Sequence, residues 1–364
     1  MIDGMAAASL AFILAYALDP FAGPRYRGPR SDHFDGKRFF NVGPAEERGF
    51  RDFLRWQLHS DRGHWQEHTD TPLMPPPPRI VEGSGLRITF INHSTTLIQT
   101  ESLNILTDPV WSKRVGPVSW LGPKRHRPPG IRFEDLPRIN YVLLSHNHYD
   151  HLDLPTLRRL SKAHAPLFVT PLAVGALIEA KKLGRAIELD WWQAHSLSSG
   201  LRINAVPARH FSMRGLRDRN NTLWCGYVLE TAAGNIYFAG DTGYGPHFEQ
   251  IARRFAPFRL ALLPIGAYRP AWFMSPVHIS PEQAVQAAQV LSARTSIGIH
   301  FGTFALADDG ELEPVEKLGA ALQRIPEMAS RFWSLREGEG RDVPLTPISA
   351  DITGSTELPA TSRG

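Results

Sequence analysis

The sequence contains one cysteine, Cys225, in 364 residues. That excludes an intramolecular disulfide framework and a cysteine-rich zinc site, so any metal ion here is held by nitrogen and oxygen. Long hydrophobic runs are also scarce. The one candidate, Met5 to Leu18, follows an acidic rather than a basic start and falls short of the roughly 20 residues that span a bilayer. A signal-peptide core, a membrane-surface anchor and a helix packed on the domain are all compatible with it, and localisation, membrane-associated or cytoplasmic, turns on its fate. Strong charge of one sign is missing too. A net charge of +4 is compatible with an anionic substrate or an anionic membrane surface and identifies neither. No internal repeat is visible. Hydrophobic residues make up 42% and charged residues 21%, which excludes disorder or coiled coil for the chain as a whole.

What is present divides into an N-terminal extension and one large domain. Residues 1–20 form the apolar segment and residues 21–78 an arm and a helix. The stretch from Asp19 to Asn41 is rich in Pro, Gly and Arg without a sustained period, as expected of an extended arm lying over something else. Phe50, Phe53, Leu54 and Leu58 have helical spacing, predicting an amphipathic helix near 45–58. Pro75 to Pro78 mark the boundary to a domain over 79–350, and residues 351–364 read as a tail. Within the domain, strands are predicted at Leu86–Ile91, Thr96–Gln99, Leu103–Leu106 and Tyr141–Leu144. Helices near 154–163, 171–182, 245–255, 281–293 and 313–324 then interleave with strands near 202–206, 224–230, 235–239, 259–264 and 296–299. That alternation is a mixed α/β layering.

The chemistry is concentrated in Ser145-His146-Asn147-His148-Tyr149-Asp150-His151, directly after a buried apolar strand. Residues two apart in an extended segment point the same way, so His146 and His148 can share one ion, while the following turn can aim Asp150 and His151 at a second. Helix capping by Asp150 or Asp153 would account for one acidic residue and for none of the histidines. Asp241 stands behind Gly240 at the end of the strand Ile236–Ala239, and His300 ends the strand Ser296–Ile299, so both sit where strand-end loops can converge on the cluster. The residues alone do not choose between His195 and His210 as a further ligand. His278 lies in a proline-flanked loop ahead of a helix that Ser280 and Pro281 are suited to start.

The spacing His-x-His-x-Asp-His resembles the metallo-β-lactamase superfamily. A longer string resembles one branch of it, the N-acyl-phosphatidylethanolamine phospholipase D-like proteins, over about residues 85–325. It runs through Thr107-Asp108-Pro109, Gly122-Pro123-Lys124-Arg125, the His146 motif, Ile187 to Trp192, Ala239 to Tyr244, Pro264 to Tyr268 and His300 to Leu306. The resemblance implies an αββα sandwich holding two zinc ions, other divalent transition metals being compatible with the same donors. It implies that His146, His148 and His210 hold one ion, that Asp150, His151 and His300 hold the other, and that Asp241 bridges them. By the same resemblance Asp150, Asp241 and His278 are catalytic, with His278 near the substrate phosphate.

Two such ions could share a water and present hydroxide at neutral pH. The resemblance makes the reaction a phospholipase D-type hydrolysis of N-acyl-phosphatidylethanolamine to N-acylethanolamine and phosphatidic acid. A lactonase or other ester hydrolase of the same fold is the alternative, and a di-iron oxidoreductase the alternative from another class. The expected partner is a phospholipid or another anionic small molecule, with a membrane surface and a homodimer compatible. No nucleic acid is expected, because Lys124-Arg125-His126-Arg127 is one short basic patch, readable equally as a solvated loop or an anionic-lipid contact.

Overall fold

The computed structural model describes residues 19–43, 46–197 and 200–345. The apolar segment expected at 5–18 and the tail expected at 351–364 lie outside the described residues. Among the described residues no helix is long and apolar enough to cross a membrane.

In chain order the elements are α1 (Phe50–Leu58), β1 (Leu86–Asn92), β2 (Thr95–Thr100), β3 (Leu103–Thr107), β4 (Tyr141–Leu143), α2 (Leu154–His164), β5 (Leu167–Pro171), α3 (Val174–Ala180) and β6 (Ala186–Leu189). The second half holds β7 (Ala194–Ser196), β8 (Arg202–Val206), β9 (Gly226–Glu230), β10 (Asn235–Phe238), α4 (His247–Phe255), β11 (Phe258–Pro264), α5 (Ala271–Met274), α6 (Pro281–Val290) and β12 (Thr295–Ile299). It closes with α7 (Glu313–Gln323), α8 (Pro326–Ala329), β13 (Phe332–Trp333) and β14 (Gly340–Asp342). The strands form two seven-stranded sheets, ordered β14-β1-β2-β3-β4-β5-β6 and β13-β12-β11-β10-β9-β8-β7. Each joins an antiparallel meander to a parallel run: β3 to β6 are parallel in the first, β10 to β13 in the second.

The layering follows from the two-residue period of the strands. In β3, β4 and β5, Ile105, Leu143 and Val169 enter the core that both sheets share. Their neighbours Leu106, Val142 and Phe168 face the other way, onto Leu157, Leu160, Val174 and Ile178 of α2 and α3. The second sheet is covered likewise, with Phe248, Ile251, Val285 and Leu318 of α4, α6 and α7 joined to the shared core. A strand buried on both faces reads as a continuous apolar run, as β11 does in Leu260-Ala261-Leu262-Leu263. The result is the expected αββα sandwich.

Three readings are corrected. The helix expected over 171–182 is only Val174–Ala180, because Phe168, Val169 and Thr170 pair between β4 and β6 as a strand that ends at Pro171. Helix α1 forms, but Phe50, Phe53, Leu54 and Leu58 face outward and only Trp56 is buried, stacked on Phe273 of α5 at 5.1 Å. Arg125 is no surface cation: it is buried, bonded to the Asn92 side chain and to the Ser112 and Val110 carbonyls, and lies over Phe304.

The arm from Asp19 to Asn41 lies across the domain and sends Phe34 and Phe39 into the main core. His33 stacks on Trp191 at 4.4 Å and bonds Asp32 and Asp190. Burial alone would lower its pKa, but the carboxylates of Asp190 and Asp32 outweigh that and raise it.

Candidate metal centre

Six loops meet at one end of the sandwich, and most leave the end of a strand. His93 follows β1, Asp108 follows β3, His146 to His151 follow β4, Asp241 follows β10, and His300 follows β12. His210 lies in the segment after β8. His93, Asp108 and His300 adopt left-handed backbone, with φ of 49°, 34° and 62°, a conformation that costs a non-glycine residue of order 1–3 kcal/mol and concentrates at functional sites. Gly240 is also left-handed, and a Cβ there would sit 2.6 Å from that of Ser145. Only glycine lets the Asp241 loop come this close to the His146 loop.

Two adjoining donor groups result. In the first, His146 Nε2 lies 2.8 Å from His148 Nδ1, which lies 3.2 Å from His210 Nε2. In the second, ligand atoms of His93, Asp150, His151 and His300 fall within 4.8 Å of one another. Asp241 stands between the groups, its Oδ2 at 3.1 Å from His151 Nε2, 3.0 Å from His300 Nε2 and 3.8 Å from His210 Nε2. All seven residues expected from the sequence are therefore gathered at one place. His195, the alternative to His210, lies away from it on the edge strand β7.

Hydrogen bonds behind the rings settle which nitrogen faces inward. Asp108 accepts from Ser145 N at 2.7 Å, Ser145 Oγ at 2.5 Å and His151 Nδ1 at 2.6 Å. A serine hydroxyl that donates to Asp108 can only accept from His146 Nδ1, 2.8 Å away, so the inward Nε2 of His146 carries a lone pair. His151 donates through Nδ1 and likewise turns its Nε2 inward. His210 donates from Nδ1 to the Val277 carbonyl at 3.1 Å.

Electrostatics divides the site. Burial, reinforced by neighbouring histidines, holds His146 and His210 well below the ordinary histidine range, and burial lowers His148 to about 3, so these three rings are neutral. Around Asp241 the order reverses. Burial would lower His151 and His300, but Asp241 and Asp150 more than compensate, raising His151 well above its usual value and His300 to about 9. Burial would raise Asp241, yet His151 and His300 pull its carboxyl well below the carboxylate range.

These donors fit a pair of metal ions. The inward nitrogens of the first group are neutral, and His151 Nε2, His300 Nε2 and Asp241 Oδ1 are buried without a hydrogen-bond partner. Buried polar atoms left unmatched inside a convergent cluster call for a cation. His278 completes the wall, its ring 5.2 Å from that of His210 and 5.3 Å from that of His300. Burial lowers its pKa to about 4.

Two supporting residues were not singled out from the sequence. His93 bonds Asp150 Oδ2 through Nε2 at 2.9 Å and accepts His300 N on its carbonyl at 2.8 Å, tying two candidate ligands together. Its signal was a histidine in the turn Asn92-His93-Ser94 immediately after an apolar strand. Asp108 was visible only within a family motif. Replacing it by asparagine would offer His151 Nδ1 an amide in place of a full acceptor, so Asp108→Asn is expected to weaken metal binding by roughly 10–100-fold. Competition with a chromophoric chelator measures this, and wild-type affinity in the variant would show that Asp108 does not orient His151.

A family model described as a Beta-lactamase superfamily domain matches residues 103–301. Over 246 residues the chain is 38% identical to the N-acyl-phosphatidylethanolamine-hydrolyzing phospholipase D 1 of Caenorhabditis elegans, covering 65% of this chain and 69% of that one. An uncharacterized protein of Mycobacterium bovis is 37% identical over 82% of this chain and 80% of its own length. Among solved structures, an isothiocyanate hydrolase from Delia radicum gut bacteria superposes with a TM-score of 0.57 at 21% identity, over 70% of this chain and 98% of that one, a likeness of fold.

Proposed function

Because the chain belongs to the metallo-β-lactamase superfamily and is a metal-dependent hydrolase of that fold, we propose that it cleaves N-acyl-phosphatidylethanolamine in the manner of a phospholipase D. The observation that carries the reading is the 38% identity to the worm phospholipase across 69% of that enzyme. Two zinc ions are the proposed occupants, one held by His146, His148 and His210, the other by Asp150, His151 and His300, with Asp241 between them. Such ions supply Lewis acidity towards the phosphoryl oxygens and activate water near neutral pH.

The chain's own residues do the rest. Asp108 and Val277 hold the histidine rings in the tautomer that leaves their lone pairs inward. His278, neutral at pH 7 and facing the cluster, is placed to hydrogen-bond a phosphate oxygen and orient the ester for cleavage. Exposed apolar residues on segments adjoining the candidate ligands in the chain are in keeping with a lipid. Trp120 is 74% and Leu121 49% exposed in the segment after Asp108, Leu216 is 50% exposed in the segment after His210, and Trp272 is 38% exposed on α5 just before His278. Exposed apolar groups on segments that flank the candidate ligands in the chain suit acyl chains or a membrane surface.

The test is product analysis by mass spectrometry. Zinc-loaded protein and the double variant His146→Ala with Asp241→Ala are each given N-acyl-phosphatidylethanolamine and, separately, a panel of lactones. Phosphatidic acid and N-acylethanolamine are expected from the intact site alone. An untouched lipid beside an opened lactone would replace this reading with that of a lactonase.

A further inference from the structure

The backbone of several candidate ligands is held from within the catalytic domain. His300 N donates to the His93 carbonyl, His151 N to the His148 carbonyl, and the Ser145 carbonyl beside His146 accepts Cys225 N. His210 is held differently. It lies in irregular chain beyond the end of β8, where no strand neighbour serves its N–H and C=O. Buried backbone groups must be paired, and here the partner is a side chain from the N-terminal arm. Asn41 Nδ2 donates to His210 O at 3.0 Å, and Asn41 Oδ1 accepts His210 N at 3.2 Å and Trp224 Nε1 at 3.2 Å.

We propose that Asn41 is a positioning residue for His210, so that the ion held by His146, His148 and His210 depends on the N-terminal arm. The inference rests on the two-ion reading of the site and is independent of the lipid substrate. The residue type fits the task, since a carboxamide carries donor and acceptor at one end and can pair both backbone groups of another residue as a strand partner would. Aspartate has no donor, and alanine has neither group. The rest of the arm follows the neighbouring segment through contacts of its own. Asp19 accepts Leu216 N and Arg217 N at 3.0 and 2.9 Å, Gly23 N donates to Asp218 at 2.7 Å, Tyr26 N to Asn221 O at 3.0 Å, and Phe39 N to Asn220 O at 2.9 Å. The arm thus runs beside the segment that follows His210 and ends on His210 itself. With the backbone fixed by Asn41 and the ring by the Val277 carbonyl, His210 Nε2 is set against His148 Nδ1.

The test uses the full chain and zinc itself. Wild type, Asn41→Ala, Asn41→Asp and Asp19→Ala are stripped and titrated with Zn²⁺ against a chromophoric chelator, with Co²⁺ absorption recorded in parallel. In Asn41→Ala one of the two binding steps is expected to weaken by roughly 10–100-fold, as on loss of other groups that orient a ligand. The other step and the circular dichroism stay as in wild type. Asn41→Asp, which keeps the acceptor, is expected to fall between the two. Asp19→Ala, which loosens the arm far from His210, is expected to bind as wild type. The Co²⁺ spectrum of Asn41→Ala should lose the bands of the nitrogen-rich site alone. Unchanged affinity, equal weakening of both steps, or the same loss in Asp19→Ala would overturn the assignment. Should Asn41→Ala fail to fold, the graded loss in Asn41→Asp decides. None of these readouts involves lipid cleavage, so either hypothesis can fail without the other.

Discussion

Incubation with a strong zinc chelator is expected to abolish hydrolysis of whatever substrate the protein cleaves, and added Zn²⁺ to restore it. The Ser145 hydroxyl is buried behind the rings, where it donates to Asp108. The inward atoms are histidine nitrogens and carboxylate oxygens, three of the rings already neutral, in a pattern suited to binding cations. Stability should fall with activity. Ions that bind the folded chain at 1,000 times their Kd add about 4 kcal/mol, so stripping them should lower Tm by on the order of 10 °C. Differential scanning calorimetry of the stripped and reloaded protein reads this, beside metal analysis of the same samples. Full activity in protein shown to be metal-free would refute the assignment of this cluster as the reaction centre.

The second large effect is expected of Asp241→Ala. Among the described residues this is the one carboxylate within 4 Å of histidine nitrogens from both donor groups, at 3.0 Å from His300, 3.1 Å from His151 and 3.8 Å from His210. Removing a residue such as His148 touches one group, but removing Asp241 touches both. Activity should drop at least about 10³-fold, the upper range for losing one preorganised electrostatic partner in a buried site. Both zinc-binding steps should weaken, in contrast to the one-sided loss expected of Asn41→Ala. Retention of two tightly bound ions by Asp241→Ala would mean that the carboxylate does not bridge.

The sandwich and the heart of the site were legible in the sequence for related reasons. Strand ends carry the loops, so an apolar run such as Tyr141–Leu143 that stops at Ser145-His146 announces both an element and its cargo. The same held for Ile236–Phe238 before Asp241 and for Ile297–Ile299 before His300. His210 could not be chosen over His195 because its position depends on the arm, more than 160 residues away in the chain. His93 stayed hidden because its role is to bond Asp150 and His300, contacts that no local pattern encodes. The outward stripe of α1 was unreadable for the opposite reason. Helical spacing of Phe50, Phe53, Leu54 and Leu58 fixes a face but not what it meets, and in the folded chain it is Trp56 that finds a partner. Arg125 likewise looked like part of a surface patch until Asn92 and two carbonyls were seen around it.

The donors are shared between the sheets: Asp150 and His151 come from the first, His210, Asp241 and His300 from the second. A pair of ions at their meeting point ties residues some 150 positions apart in sequence, joining the two sheets at one rim. With Cys225 alone, the chain cannot close such a loop by sulfur chemistry, and the metal centre takes the part of a cross-link. A protein built this way would be held together differently in metal-rich and metal-starved surroundings, its two leaves parting most readily at the rim that carries the candidate metal centre.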